Sequence, residues 1–234
     1  MQDIQNTDYK GTETLKIMSH ARNYNNTVVE LALSNLGVKS GKILDFGAGI
    51  GTYSTILKSK GFDVTCVEID TKQVKILKEK GFSTLNDINL IENNSVGNMV
   101  SFNVFEHIKN DAETLKIIYN KLANNGKLFI FVPASQDLYS KFDEKLGHYR
   151  RYEMQDLQNL LKNCGYEISS TQYFDSLGYL LAKLYKLLKI NGSINSAQIL
   201  IFDKILFPIS MILDKIFNTK FGKNIVITAQ KSSD

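Results

Sequence analysis

An apolar stretch, Lys42 to Phe46, breaks into Gly47-Ala48-Gly49-Ile50-Gly51 and then into a helix-like segment from about Thr52 to Lys60 that stops at Gly61. A buried strand ending on closely spaced glycines just before a helix presents backbone N–H groups at the positive helix end. No side chain holds a ligand off. The spacing narrows the choice. A dinucleotide site calls for Gly-x-Gly-x-x-Gly, with room for a pyrophosphate. Here the pattern is Gly47-x-Gly49-x-Gly51, one residue shorter, with Asp45 just ahead of it. Gly-x-Gly alone also fits an ordinary tight turn, so the order of the surrounding elements has to decide.

That order is regular. Residues 12–36 read as helical, with apolar positions Val28, Val29, Leu31, Ala32, Leu33 and Leu36 before the Gly37 stop. After the glycine turn, Phe62 to Val67 reads as a strand and Thr71 to Lys80 as a helix stopped by Gly81. Phe82 to Leu85 and Asn98 to Phe102 follow as strands, Asp111 to Ala123 as a helix, and Lys127 to Val132 as a strongly apolar strand. Beyond a loop rich in tyrosine and charge come a helix over Glu153 to Asn163, a strand over Tyr166 to Tyr173, helices near 176–189 and 196–217, and a closing strand, Lys223 to Gln230. Alternation of this kind implies parallel strands joined by right-handed crossovers, with helices on both faces. The expected fold is α/β: a Rossmann-like, doubly wound, seven-stranded, mostly parallel sheet whose last strand is antiparallel, with a late helical insertion. The expected divisions are an N-terminal helical cap over 1–38, a core over 39–174, the insertion over 175–217, and the closing strand and tail over 218–234.

The run Ile43-Leu44-Asp45-Phe46-Gly47-Ala48-Gly49-Ile50-Gly51 resembles motif I of the class I S-adenosylmethionine-dependent methyltransferases. The resemblance implies S-adenosylmethionine as cofactor and S-adenosylhomocysteine as product, held by Asp45, Gly47, Ala48, Gly49 and Gly51. The second strand ends Val64-Thr65-Cys66-Val67-Glu68-Ile69-Asp70, similar to the family's Val-Thr-Gly-Val-Asp segment. By that match Glu68 holds the ribose hydroxyls, Ile69 lies beside it, and Asp70 caps the next helix. Asn86-Asp87-Ile88 falls where the family places an acid near the adenine amino group and an apolar residue against the ring. Asn103-Val104-Phe105-Glu106-His107-Ile108 resembles the superfamily's Asn-Val-Leu-Glu-His segment, and adds Asn103 to the cofactor set. Gly147-His148-Tyr149-Arg150-Arg151-Tyr152, the early Ala21-Arg22-Asn23-Tyr24-Asn25 and the closing Gly-Lys-Asn-Ile-Val strand are similar to a bacterial and archaeal subgroup. Tyr24 joins the cofactor set on that ground. Some of the subgroup are associated with cell-surface polysaccharide or glycolipid pathways.

Methyl transfer from a sulfonium is an in-line displacement, so alignment supplies much of the rate, and an alcohol acceptor also gains from a nearby base. His148 and His107 are the candidate bases, each with the alternative of an ordinary loop or bracing role. Arg150 and Arg151 are two of three arginines, the other being Arg22. They offer a planar fork for a carboxylate or phosphate, or an internal pair with Asp143, Glu144 or Glu153. Tyr139, Tyr149 and Tyr152 could line a sugar- or ring-binding surface, or merely pack. No expected step needs a metal, and none is assigned. Related quinone-pathway O-methyltransferases that share the Glu-His segment leave a divalent ion near Glu106 open.

Composition bounds the partners. The net charge of +4 comes almost wholly from lysine, which speaks against a phosphate-gripping nucleic-acid surface. There is neither an Asn/Asp-Pro-Pro-Tyr/Phe motif nor a Pro-Cys pair. Cys66 and Cys164 lack metal-ligand spacing and read as buried thiols. The start, Met1 to Lys10, is polar and lacks a signal core. No stretch approaches the roughly 18 uncharged apolar residues of a membrane span. The expected setting is cytoplasmic. Leu177 to Lys189 is a basic amphipathic stretch, however, with Lys183, Lys186 and Lys189 off its apolar stripe. It suits either a cap on the domain or peripheral membrane contact through 177–217. A monomer and a homodimer both remain open. The functional expectation is methyl transfer to a small-molecule acceptor, a sugar, glycolipid or lipid-linked intermediate, on oxygen. The alternatives are an NAD-dependent oxidoreductase and a cofactor-binding module without catalysis.

Overall fold

The computed structural model describes residues 11–188, 196–217 and 220–232. The readings of Met1 to Lys10 and of Lys189 lie outside the described residues. Two helices lead, α1 (Thr12–Met18) and α2 (Arg22–Leu36). The alternating core follows as β1 (Gly41–Phe46), α3 (Thr52–Ser59), β2 (Phe62–Val67), α4 (Thr71–Glu79), β3 (Ser83–Leu85), β4 (Val96–Phe102), α5 (Asp111–Lys121) and β5 (Leu122–Pro133). Then come α6 (Lys141–Leu146), α7 (Met154–Asn163), β6 (Tyr166–Phe174), α8 (Ser176–Leu187), α9 (Ser196–Ile201), α10 (Phe207–Phe217) and β7 (Asn224–Lys231). The seven strands form one sheet in the order β3-β2-β1-β4-β5-β7-β6. All pairings are parallel except those of β7, which is antiparallel to both β5 and β6.

Strand alternation sorts the core into two layers. Phe129 and Phe131 of β5 and Val226 of β7 face a layer built with Val28, Val29, Leu57, Leu77 and Phe207. Leu128, Ile130, Val132, Ile225 and Ile227 face the opposite layer, with Leu115, Ile118, Leu157 and Leu161 of α5 and α7. Strand order reverses between β1 and β4, and the crevice beyond their carboxyl ends is where doubly wound sheets bind ligands. The glycine turn leaves β1 there, and Asn103 leaves β4 there.

Four local features depart from the sequence reading. The leading helix breaks at Ser19–Ala21, where Ala21 enters the core. The strand read from Lys127 begins at Leu122, because Val96 pairs with Leu122 and Asn98 with Lys127, leaving Ala123 to Gly126 as an excursion in β5. The loop after β5 contains α6, held by a capping box between Ser140 and Asp143. The helix read over 196–217 carries a π segment, Phe202–Leu206, between α9 and α10.

That π segment turns the Asp203 carboxylate inward. Its oxygens accept from Tyr24 N at 2.8 Å and Asn23 N at 3.0 Å. Those are orphan donors of α2, whose N-cap, Ala21, has no side chain able to cap. Asp214 does the same for α8, accepting from Asp175 N at 2.9 Å and Ser176 N at 3.0 Å. The two acids that interrupt an apolar run are therefore caps for distant helices. Ser196–Ile216 is a helix long and apolar enough, at mean hydropathy 1.6, to cross a membrane by length and composition, although Asp203 and Lys204 keep it from being an uncharged span.

Candidate cofactor and active site

The glycine turn is fitted between strands and side chains. Gly47 N and Ala48 N both donate to Val67 O at the end of β2, at 2.8 and 3.2 Å. Gly47 has φ +75, and an added Cβ would lie 2.4 Å from a Val104 methyl carbon. Val104 thus presses directly on the turn, and only glycine leaves it room. Gly49, at φ +58, differs: a Cβ there would meet Leu15 of α1 at 3.3 Å and the Gln73 side chain at 3.5 Å, both ends of flexible side chains. It faces the space between the turn and α1.

Glu68 ties this turn to its own strand end. Its Oε2 accepts from Gly49 N at 2.8 Å and its Oε1 from Asp70 N at 2.9 Å. Burial pushes its carboxyl above the usual range, while these backbone bonds pull the other way. An ionised carboxylate has about four acceptor positions, so each oxygen keeps capacity for a further donor. Ile69 beside it is 59% exposed. Among the described residues, the exposed large apolar side chains outside 180–221 are Ile69, Leu90 and Tyr149, all on connections that follow strands. Asp70 caps α4 through Lys72 N and Gln73 N. Asp45 lies beneath the turn, accepting from Ser54 Oγ at 2.5 Å. Burial pushes its carboxyl up to about 7, against the pull of that bond.

Of the five non-glycine residues with positive φ among the described residues, three stand at this same edge of the sheet, the others being Asn94 and Asn125. Asn103, Ser135 and Asp175, which follow β4, β5 and β6, have φ of 53, 63 and 64°. Non-glycine residues in that region are uncommon and concentrate at functional sites. The turn after Asn103 carries the next group. Glu106 and His107 lie against His148, whose ring meets that of His107 edge-on at 4.6 Å between centroids. His148 Nδ1 is 2.9 Å from Asp143 Oδ1. Asp143 is fully buried and also accepts from Arg151 Nε at 3.0 Å and Ser140 Oγ at 2.9 Å. Although burial alone would raise it, those donors hold its carboxyl well below the usual range. The Asp143 carboxylate beside Nδ1 orients the His148 ring, with Nε2 as the nitrogen on its far side. Burial, with His148 alongside, lowers His107 to about 4. Glu106 is buried with no hydrogen-bond partner on either oxygen, and burial pushes it up to about 8. Glu106, His107 and His148 each offer one ligand atom within 4.8 Å of the others. That is a donor set a divalent cation could use, with Asp143 bracing His148 from behind.

The remaining expected residues divide. Tyr139 touches this cluster, donating to His148 O at 2.6 Å, and the Tyr149 ring stands exposed beside it. Arg150 and Arg151 are engaged inside the protein: Arg150 donates to Asp111 at 2.5 Å and to Lys109 O at 2.7 Å, while Arg151 grips Asp143. The internal pairing, not a fork open to a ligand, is what the structure contains, and for Arg150 the partner is an acid the sequence reading did not name. Tyr152 is buried and donates to Asp111 at 2.7 Å. Tyr24 is not at the glycine turn; it sits among Phe131, Phe174 and Phe207 and donates to Asn224 Oδ1 at 3.1 Å. Asp87 accepts from Asn89 N at 2.8 Å, and Ile88 is buried in the second core layer. Lys223 was missed. It lies next to the strained Asp175, donating its N–H to Asp175 O at 3.1 Å, and burial lowers its ammonium from the usual lysine value. Its only sequence signal was its place in the closing Gly-Lys-Asn segment.

The family model described as a methyltransferase domain matches residues 18–171, which span the glycine turn, Glu68 and the His pair. The chain belongs to the methyltransferase domain family. It is a class I S-adenosylmethionine-dependent methyltransferase. No curated protein matches this methyltransferase. Solved structures resemble it in fold. An S-adenosylmethionine-dependent methyltransferase from Thermotoga maritima superposes with a TM-score of 0.65 at 18% identity, over 94% of this chain and 95% of that one. One from Archaeoglobus fulgidus gives 0.59 at 19% identity, over 88% and 94%. A phosphoethanolamine N-methyltransferase from Haemonchus contortus, solved with phosphomonomethylethanolamine and S-adenosylhomocysteine, gives 0.61 at 18% identity, over 88% of this chain. The methyltransferase described here spans about half of that enzyme, 53% of its chain.

Proposed function

We propose that this methyltransferase transfers a methyl group to an oxygen of a small-molecule acceptor of the sugar, glycolipid or lipid-linked class, with His148 as general base. The observation that carries the reading is the Asp143–His148 pair at 2.9 Å, on the sheet edge that also holds the glycine turn. The cofactor fits the residues present: Gly49 is bordered only by the flexible ends of Leu15 and Gln73, Glu68 retains acceptor positions for ribose hydroxyls, and Ile69 offers an apolar surface for the base. When bound, S-adenosylmethionine supplies an electrophilic methyl on a sulfonium. His148 Nε2 would take the proton of the acceptor hydroxyl, and Asp143 would stabilise the resulting imidazolium; the sulfonium would lose its methyl and leave as S-adenosylhomocysteine. Tyr139 fixes the backbone of His148, and Tyr149 provides a ring against which an acceptor stacks.

Calorimetry with S-adenosylhomocysteine, then mass spectrometry of products from glycan and lipid extracts, tests the reading. His148→Gln is expected to lower kcat by roughly 10²- to 10⁴-fold, the usual worth of a general base, with cofactor affinity kept. Absence of S-adenosylhomocysteine binding to the wild type would overturn the cofactor assignment; unchanged kcat in His148→Gln would overturn the base. The two unpartnered oxygens of Glu106 favour a second reading, in which a divalent cation on Glu106, His107 and His148 orients the acceptor oxygen. Turnover that survives exhaustive chelation would dismiss it.

A further inference from the structure

The late helices are built with their polarity reversed. Asp203, Phe207, Ser210 and Asp214 recur at helical spacing and turn toward the domain; Asp203, Phe207 and Ser210 are buried. Ile201, Ile205, Ile209, Ile212 and Ile216 recur at the same spacing on the other side, and all are exposed, from 45 to 66%. A surface helix normally places its apolar stripe on the core and its polar residues in water. Here the hydrogen-bonding groups serve the protein and the isoleucines face out. The α8 helix packs beside α10 and extends the face with exposed Leu184 and Leu187. Exposed apolar surface this continuous marks an interaction site.

The charges around the face identify its occupant. Lys183, Lys186, Lys204, Lys215 and Lys220 are exposed, whereas Asp203 and Asp214 are directed inward; the exposed acid beside them is Asp137, 3.7 Å from Lys183. A rim with five lysines against one acid suits an anionic surface. In a two-fold dimer the same patch meets itself, which sets like charges together. The helix also lies flat on the domain: its caps to α2 and α8, with Phe207 in the core, hold one side along its length. We propose that α8, α9 and α10 form a docking face for an anionic lipid bilayer, with the isoleucine stripe in the headgroup boundary and the lysines on the phosphates.

The face adjoins the active site on two sides. The α9 helix packs on α1, whose Leu15 reaches toward Gly49. From α8, Lys186 donates to the carbonyls of Asp137 and Tyr139, the latter being the residue that holds the His148 carbonyl. Docking would therefore present the site to acceptors at the bilayer surface. In this it rests on the lipid-linked reading above, but docking itself is measured separately.

The test is flotation of the full chain with phosphatidylcholine vesicles, with and without phosphatidylglycerol, alongside calorimetry with S-adenosylhomocysteine. The wild type is expected to float with phosphatidylglycerol vesicles at low salt and to be released as ionic strength rises. Ile205→Ser with Ile212→Ser should abolish flotation while preserving melting temperature and S-adenosylhomocysteine affinity. Lys204→Gln with Lys215→Gln should weaken partitioning roughly thirtyfold, from about fivefold per lysine near an anionic surface. Wild-type protein that stays at the bottom of the gradient overturns the proposal, as does flotation that the isoleucine pair leaves unchanged. Light scattering that shows a dimer, split by the isoleucine variant and indifferent to vesicles, would assign the face to a second copy instead. Because S-adenosylhomocysteine binding is read on the same samples, failure of docking is distinguishable from failure of the methyl-transfer reading.

Discussion

Two glycines two residues apart have different reasons to be glycine. Gly47 is enclosed by Val104, so Gly47→Ala combines a steric clash with a backbone that L residues rarely adopt. Urea unfolding should show a loss of about 1–3 kcal/mol, with cofactor affinity of the folded fraction kept. Gly49 is bordered by flexible side-chain ends, Leu15 and Gln73, and on the proposed cofactor site Gly49→Val should abolish S-adenosylhomocysteine binding in calorimetry; unchanged affinity would count against that site. Asp45 gives a pH signature. Its folded value of about 7 lies above the ordinary 3.8, so the folded state holds the extra proton in between. Its contribution is full below the lower value and is lost as pH rises through the upper one. Melting temperature followed across that window should fall less in Asp45→Asn than in the wild type, since asparagine can still accept from Ser54. Equal slopes would show that another group governs the window. Of these residues, the turn and Glu68 were legible because spacing along one strand and one turn defines them. The partners of Arg150 and Arg151 were not, since Asp111 and Asp143 reach them only through tertiary packing.

Helix boundaries show the same division between local and distant causes. The stop of α2 at Gly37 and the cap of α4 by Asp70 are written in adjacent residues. The start of α2 is not: Ala21 cannot cap, and the acid that does so, Asp203, lies 180 residues from Asn23. Read along the chain, Asp203 looks like an interruption of an apolar helix; only the π segment that turns it inward reveals its task. Asp203→Ala removes a carboxylate acceptor from two backbone N–H groups, of which that of Tyr24 is buried. It is expected to cost about 2–4 kcal/mol, from the loss of a cap and of bonds to a charged group. Amide exchange should accelerate at Asn23 and Tyr24 first. A cost below about 0.5 kcal/mol, the level of an ordinary surface change, would mean that water replaces the carboxylate at no penalty. The α6 helix escaped notice because it is short and its capping box sits in a loop dense with charge.

For the molecule as a whole, the order of strands was legible because one strand–helix rhythm runs from Lys42 to Val132, and parallel crossovers leave few topologies open. The two core layers enclose both thiols. Cys66 is fully buried and pushed up to about 12, chiefly by burial, and Cys164 is buried at the end of α7. A disulfide-exchange reagent should therefore label neither in the native state, and Cys66 should react at the rate of global opening across a denaturant series. Labelling of Cys66 that is independent of denaturant would indicate a local route into the core. What could not be read in advance is how the late segment is joined to the rest. A protein engineer who splices Phe174 to Asn224, hoping for a smaller catalyst, would strip the first long helix of its anchor and expose the aromatic cluster around Tyr24. The trimmed product should aggregate on expression, since the segment that looks like an appendage in the primary structure acts as a keystone in three dimensions.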